Sequence, residues 1–157
     1  MSRLHHLVAM SSIALFAACA APLQLPDGFV ELGDSSRGYR AVTSDDARLW
    51  VREMSDLTEG GIAFWAEALQ RDLVEERGYE LIGSGEVKDA QGATGRWLEA
   101  TSNVAGRRVD YLVALWCRKR SWWRSGEDLL LVEFGAAAEV YAQRVGQVRA
   151  ALSTVRW

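Results

Sequence analysis

The run Arg107-Arg108-Val109-Asp110-Tyr111-Leu112-Val113-Ala114-Leu115-Trp116-Cys117-Arg118 decides the fold class. Read with the two-residue period of an extended chain, it puts Val109, Tyr111, Val113, Leu115 and Cys117 on one face and Leu112, Ala114 and Trp116 on the other. Both faces are apolar. Such a strand belongs in the middle of a sheet covered on both sides, so packing elements must lie above and below it.

Outward from this strand, alternation and short apolar runs predict strands at 79–87, 94–103 and 128–135, and three earlier ones at 29–32, 39–43 and 47–54. Gly33-Asp34-Ser35 and Ser44-Asp45-Asp46 supply turns between the early strands. Two segments change to helical spacing. Over 61–77, Ile62, Trp65, Leu69 and Leu73 share one face, with Thr58 and Glu59 as a cap and Gly78 as the stop. Over 138–155, Tyr141, Val145, Val148, Leu152 and Val155 form a second stripe. The expected fold is α+β: a central, largely antiparallel sheet of six to seven strands, one helix after the third strand and a C-terminal helix.

Taken with Tyr39-Arg40-Ala41-Val42 and Val132-Glu133-Phe134-Gly135, this order resembles the PsbP-like α/β/α sandwich over residues 29–156. The resemblance implies a non-enzymatic scaffold that binds a partner through its surface, and it carries over no functional residue by motif. A cystatin-like or other α+β domain with a helix on a curved sheet is the alternative.

Ahead of the domain, residues 1–18 read as an export signal, with Arg3 and two histidines at the start and an apolar run from Leu7 to Phe16. That run is too short for a permanent membrane span. Leu15-Phe16-Ala17-Ala18-Cys19 resembles the bacterial lipobox, whose cysteine receives a diacylglycerol, although Phe16 stands where lipoboxes usually carry leucine. The resemblance implies a lipid anchor at Cys19 and, because Ala20 and not Asp follows it, an outer-membrane destination in a Gram-negative cell. Ordinary cleavage near Ala18-Cys19-Ala20, leaving a soluble exported protein, is the alternative. Residues 19–28, with Pro22 and Pro26, then form an extended tether, and 29–157 a single domain.

A chain of 157 residues with 49% hydrophobic and 25% charged residues can bury its own core without a metal or disulfide staple. Its net charge of -3 sets up no field for nucleic acid. His5 and His6 both lie in the leader, so the mature domain has no histidine. That excludes Ser-His-Asp and Cys-His relays and imidazole metal sites, and no cofactor or metal is expected. Cys117, inside an apolar strand, is expected to be a buried small hydrophobe, the alternative being a nucleophile activated by Arg118. Gly83, Gly85, Gly92 and Gly95 lack the following helix of a phosphate loop and are expected in a bulge and a turn. The pairs Asp45-Asp46, Glu75-Glu76 and Glu127-Asp128 are expected in solvated positions, and would do acid-base work only if folded into one cleft.

The remaining feature is Arg118-Lys119-Arg120-Ser121-Trp122-Trp123-Arg124, four cations around two tryptophans between the last two strands. Arg118, Lys119, Arg120, Trp122, Trp123 and Arg124 form the expected interaction surface, for indoles favour the membrane headgroup level and guanidinium groups attract anions. The alternative is that one indole packs under a helix. The expected function is a non-catalytic, lipid-anchored envelope protein that binds a protein, glycan or lipid partner. A carboxylate-dependent envelope hydrolase and a secreted soluble binding protein are the alternatives.

Overall fold

The computed structural model describes residues 21–33, 38–121 and 123–157; the leader, Cys19, the middle of the first turn and Trp122 lie outside the described residues. Seven strands, β1 (Val30–Leu32), β2 (Tyr39–Val42), β3 (Arg48–Asp56), β4 (Glu80–Lys88), β5 (Thr94–Val104), β6 (Arg107–Lys119) and β7 (Glu127–Ala137), form one sheet in the order β1-β2-β3-β7-β6-β5-β4. Every pairing is antiparallel. Helix α1 (Gly61–Arg71) follows β3 and α2 (Ala138–Leu152) follows β7 directly.

The central strand behaves as its pattern demands. β6 lies between β5 and β7, and its two faces belong to two separate cores. Leu112, Ala114 and Trp116 pack with Leu130, Val132, Phe134 and the α2 stripe, whereas Val113 and Leu115 pack with Leu98, Leu129, Leu131 and the α1 stripe. The result is three layers, α1 over one face and α2 over the other. Burying a Leu or Phe side chain contributes about 1.5–3 kcal/mol, so these two cores supply most of the favourable energy.

Two tryptophans explain three glycines. The Trp97 indole lies where a side chain on Gly85 would stand and only 3.3 Å from a Cβ on Gly83, and a Cβ on Gly95 would overlap the Leu115 carbonyl and Trp116. The β4–β5 register shifts between Leu81 and Gly83, as a bulge does, and Gly92 turns the hairpin at φ +83°. Bare backbone here is a floor for indoles.

The first helix departs from expectation at both ends. It is α-helical only to Arg71, and Asp72–Glu76 form a π-helical turn, the Arg77 N–H reaching back five residues to the Asp72 carbonyl at 3.1 Å. Leu73 in that turn is fully buried, and Gly78, at φ +68°, ends the helical run. At the start, Gly60 is the cap and makes no side-chain bond, so Thr58 and Glu59 do not cap the helix. The cap comes from β7: both carboxylate oxygens of Glu127 accept the Gly61 N–H, at 3.1 and 3.0 Å. A carboxylate at a helix N-terminus satisfies an orphan donor and complements the helix dipole. Glu127 is 2% exposed, which corrects the expectation that it is solvated; Asp45, Asp46, Glu75 and Glu76 are exposed, and Asp128 is half-buried.

Packing also reaches back before Phe29. Leu23 belongs to the α2-side core, the Pro22 carbonyl accepts the Arg156 N–H at 2.9 Å, and the Gln24 N–H donates to Thr154 Oγ1 at 2.9 Å. The chain is therefore fixed to the end of α2 from residue 22 onward.

Candidate functional site

The cationic and aromatic run divides into two groups. Arg118 and Lys119 end β6, and the β6–β7 hairpin is closed by the Arg120 N–H donating to the Gly126 carbonyl at 3.1 Å. Arg118 and Arg120 bracket Asp128, with Nε 3.9 and 3.3 Å from its oxygens, and the Arg118 guanidinium lies 4.2 Å over the Trp157 ring. Both cations have partners within the protein, Arg120 half-buried and Arg118 still exposed. Lys119, Trp123 and Arg124 are exposed.

Cys117 is half-buried. Burial, then its hydrogen bond to Glu127 and that carboxylate's charge, push the thiol up to about 12. Arg118 does not counter this, because neighbouring strand residues point to opposite faces and its guanidinium lies over Trp157. An activated nucleophile is the opposite of what the site makes.

The structure adds a site that the sequence reading did not single out. Helix α1 packs over β5 and β6, and it leaves the same face of β3 and the upper half of β7 uncovered. There a cleft of about 500 Å³ opens, lined by Arg48, Trp50, Tyr79, Tyr111, Glu133 and Gly135 among others. Sheet register builds it: Trp50 lies opposite Glu133, and Arg48 and Tyr111 flank Gly135 from either side. Gly135 keeps the floor open, as a Cβ there would meet only Tyr111 at 3.5 Å and backbone beyond.

Glu133 is 9% exposed and both its oxygens are committed. Arg52 Nε donates to one at 2.6 Å and the Tyr111 hydroxyl to the other at 2.5 Å. Burial, reinforced by the Glu133 charge, raises the Tyr111 phenol well above its ordinary value. The Trp50 ring carries Arg40 at 4.7 Å and Arg52 at 4.5 Å, and Arg48 forks onto Asp46. Asp46 and Glu133 are thus the two carboxylates of the cleft, each in an ion pair with an arginine. Glu133, with both oxygens bonded, is a fixed carboxylate that can orient a ligand, whereas the Asp46–Arg48 pair at the rim is largely exposed. No group of three or more Cys, Asp or Glu residues suited to a metal ion occurs among the described residues.

One signal in the sequence points at this cleft. In Asp128-Leu129-Leu130-Leu131-Val132-Glu133-Phe134-Gly135, a charge and a glycine interrupt a strand otherwise apolar on both faces. A buried charge requires a partner, and here the partner comes from a strand 81 residues away.

Fold and site together define a three-layer α/β/α domain with a half-covered sheet face, its open half forming a polar and aromatic cleft. Among solved structures it is similar to LpqN of Mycobacterium tuberculosis, a protein involved in cell envelope biogenesis, with TM-score 0.64, 13% identity, and coverage of 83% of this chain and 78% of LpqN. It is also similar to PA94 of Pseudomonas aeruginosa, a protein of unknown function, with TM-score 0.57, 11% identity, and coverage of 82% and 81%. No protein-family model and no curated protein sequence matches the chain.

Proposed function

We propose that this is a non-catalytic binding domain of the bacterial cell envelope, exported by residues 1–18 and anchored through lipid on Cys19, in the outer membrane facing the periplasm in a Gram-negative cell. The observation that carries the binding role is the cleft, with Glu133 held between Arg52 and Tyr111. Its volume lies within the roughly 300–1,000 Å³ of ligand sites. A protein, glycan or lipid partner supplies the ligand. The histidine-free mature chain and the arginine-paired carboxylates favour recognition over hydrolysis. The similarity to LpqN, itself involved in envelope biogenesis, supports the location.

Two measurements test the reading. Cell fractionation should find the wild-type protein with membranes and the Cys19→Ser variant released from them. The mature domain should then be titrated with separated protein, glycan and lipid fractions of the envelope, following its melting temperature, since a ligand that binds only the native state raises it. A fraction that stabilises wild type but not a cleft-filled Gly135→Val variant supports the proposal. Equal stabilisation of both would move binding elsewhere, and turnover of a glycan fraction would make the protein an enzyme.

A further inference from the structure

One end of the sheet gathers features that no catalytic or cleft role uses. β3, β4 and α2 finish there, and β5, β7 and α1 begin there, so it carries the β3–α1 loop, the β4–β5 turn, the β6–β7 hairpin and the last residues of the chain. The Ala90 N–H donates to the Val155 carbonyl at 3.0 Å, tying the β4–β5 turn to the chain end, and Arg118 covers Trp157. Gly126 of the hairpin packs so closely on Asp56 and Leu57 that a side chain there would overlap the Asp56 carbonyl. Loop, turn, hairpin and tail are one continuous surface.

The N-terminal segment enters the fold at this same end, where the Pro22 carbonyl is bonded to Arg156. Cys19 lies three residues earlier, and three residues span at most about 11 Å. Whatever holds Cys19 holds this end of the domain.

Its composition suits a lipid surface. Leu57 at 78% and Trp123 at 66% exposure are two of the three most exposed large apolar side chains among those described. Lys88, Lys119, Arg124 and Arg156 are exposed at the same end of the sheet. Of the acids at this end, Asp89 and Glu127 are buried and Asp128 lies between Arg118 and Arg120, while Asp56 and Glu59 are exposed, each accepting one backbone N–H, from Thr58 and Gly126. Indole at headgroup depth, with cations at the phosphates, is the arrangement that interfaces favour.

We infer that this end of the domain, through Leu57, Trp123, Lys119 and Arg124, rests on the bilayer that holds the anchor; the inference builds on the proposed lipidation of Cys19. The orientation follows directly. β7 begins at the membrane with Glu127 and ends at Ala137, so Gly135 and the cleft face away from the lipid, toward whatever the compartment supplies.

The test uses full-length protein produced in the membrane, with Cys117→Ala as background and single cysteines placed by Leu57→Cys, Trp123→Cys or Val30→Cys for spin labelling. Val30 is the matched control: 66% exposed, but paired with Val42 at the far end of the sheet. Mass spectrometry first establishes whether Cys19 carries the diacylglycerol adduct. In vesicles of phosphatidylethanolamine and phosphatidylglycerol, labels at 57 and 123 should lose collisions with a water-soluble relaxant and gain them with oxygen, while the label at 30 stays as it is in detergent-free solution. If the adduct is absent, the same labels are read with a hexahistidine in place of residue 19 on nickel-chelating vesicles, which separates failure of the anchor from failure of the surface. Labels at 57 and 123 as water-accessible as the one at 30 would overturn the inference. So would protection in whole envelopes without protection in vesicles, which would point to a protein partner.

Discussion

Glu127 Oε2 accepts the indole N–H of Trp65 at 2.7 Å, a bond that joins the foot of β7 to the second turn of α1 across 62 residues. The same carboxylate takes the Gly61 N–H and the Cys117 thiol. Burial alone would push its pKa up, but the bonds from Trp65, Gly61, Cys117 and Gly60 outweigh burial and hold it below the usual value.

A lowered folded pKa makes Glu127 a source of stability above the ordinary carboxylate range, and that stability disappears as pH falls through the folded value. Glu127→Gln should therefore destabilise the domain by about 1.5–3 kcal/mol at pH 7, the range for hydrogen bonds to a charged group. The deficit relative to wild type should shrink as pH falls below the ordinary carboxylate value of about 4.3 and through the lower folded value, where wild type loses its own carboxylate. Urea unfolding across this pH range measures this, and a deficit unchanged with pH would show that charge plays no part.

Cys117 reverses the ranking of substitutions that its apolar strand suggests. A serine there would be costly without a partner, yet Glu127 is within reach of the residue 117 side chain and can accept its hydroxyl proton. Cys117→Ser should cost less than about 1 kcal/mol, and Cys117→Val, which removes a donor from a buried carboxylate, about 1–3 kcal/mol. Iodoacetamide should modify the native thiol slowly at pH 8 and rapidly after unfolding, since only thiolate reacts. Fast native alkylation would contradict the geometry.

Two strand glycines should respond differently to one substitution. Gly135→Val enters an open cleft and exchanges a weak strand former for a strong one, so stability should hold or rise by up to about 1 kcal/mol. Gly85→Val would drive a side chain into the Trp97 indole and should cost about 1–3 kcal/mol. Thermal melts of the two variants decide it, and equal effects would mean that Trp97 moves aside freely.

The hairpin cations divide the same way. Lys119→Ser with Arg124→Ser should leave stability within about 0.5 kcal/mol, as exposed substitutions do. Arg120→Ser removes a partner of the half-buried Asp128 and should cost about 1 kcal/mol, beyond what a fully exposed cation would cost. Chemical denaturation of each variant distinguishes the pairs, and loss of stability in the double variant alone would reverse the assignment.

Local periodicity made the strands, both helices and the central place of β6 legible, because each of those depends on side chains a few positions apart. Val113 and Ala114 fall into different cores just as alternation requires. What stayed hidden depends on distant pairing. Nothing near Thr58 announces that its helix is capped from β7, and Glu127-Asp128 reads as a solvated turn until register turns Glu127 inward. The cleft was hidden for a similar reason: it exists because an eleven-residue α1 covers only part of the sheet, a fact of relative placement. Leu23 was hidden by its prolines, which mark an extended segment equally well whether it hangs free or lies in a groove.

The pairing of β3 with β7 sets the order in which the chain can assemble. β4 to β7 form a meander whose neighbours in sequence are neighbours in space, while β1 to β3 join its sheet along β3–β7, where the Arg52–Glu133 ion pair spans 81 positions. Closing so long a loop costs entropy before any contact rewards it, which places the seam late in folding. Substitutions that weaken the seam, such as Leu49→Ala against Phe134, should then speed unfolding and leave the refolding rate nearly unchanged, whereas Leu98→Ala against Val113 should slow refolding. The N-terminal third is thus the part that closes last onto a meander already made.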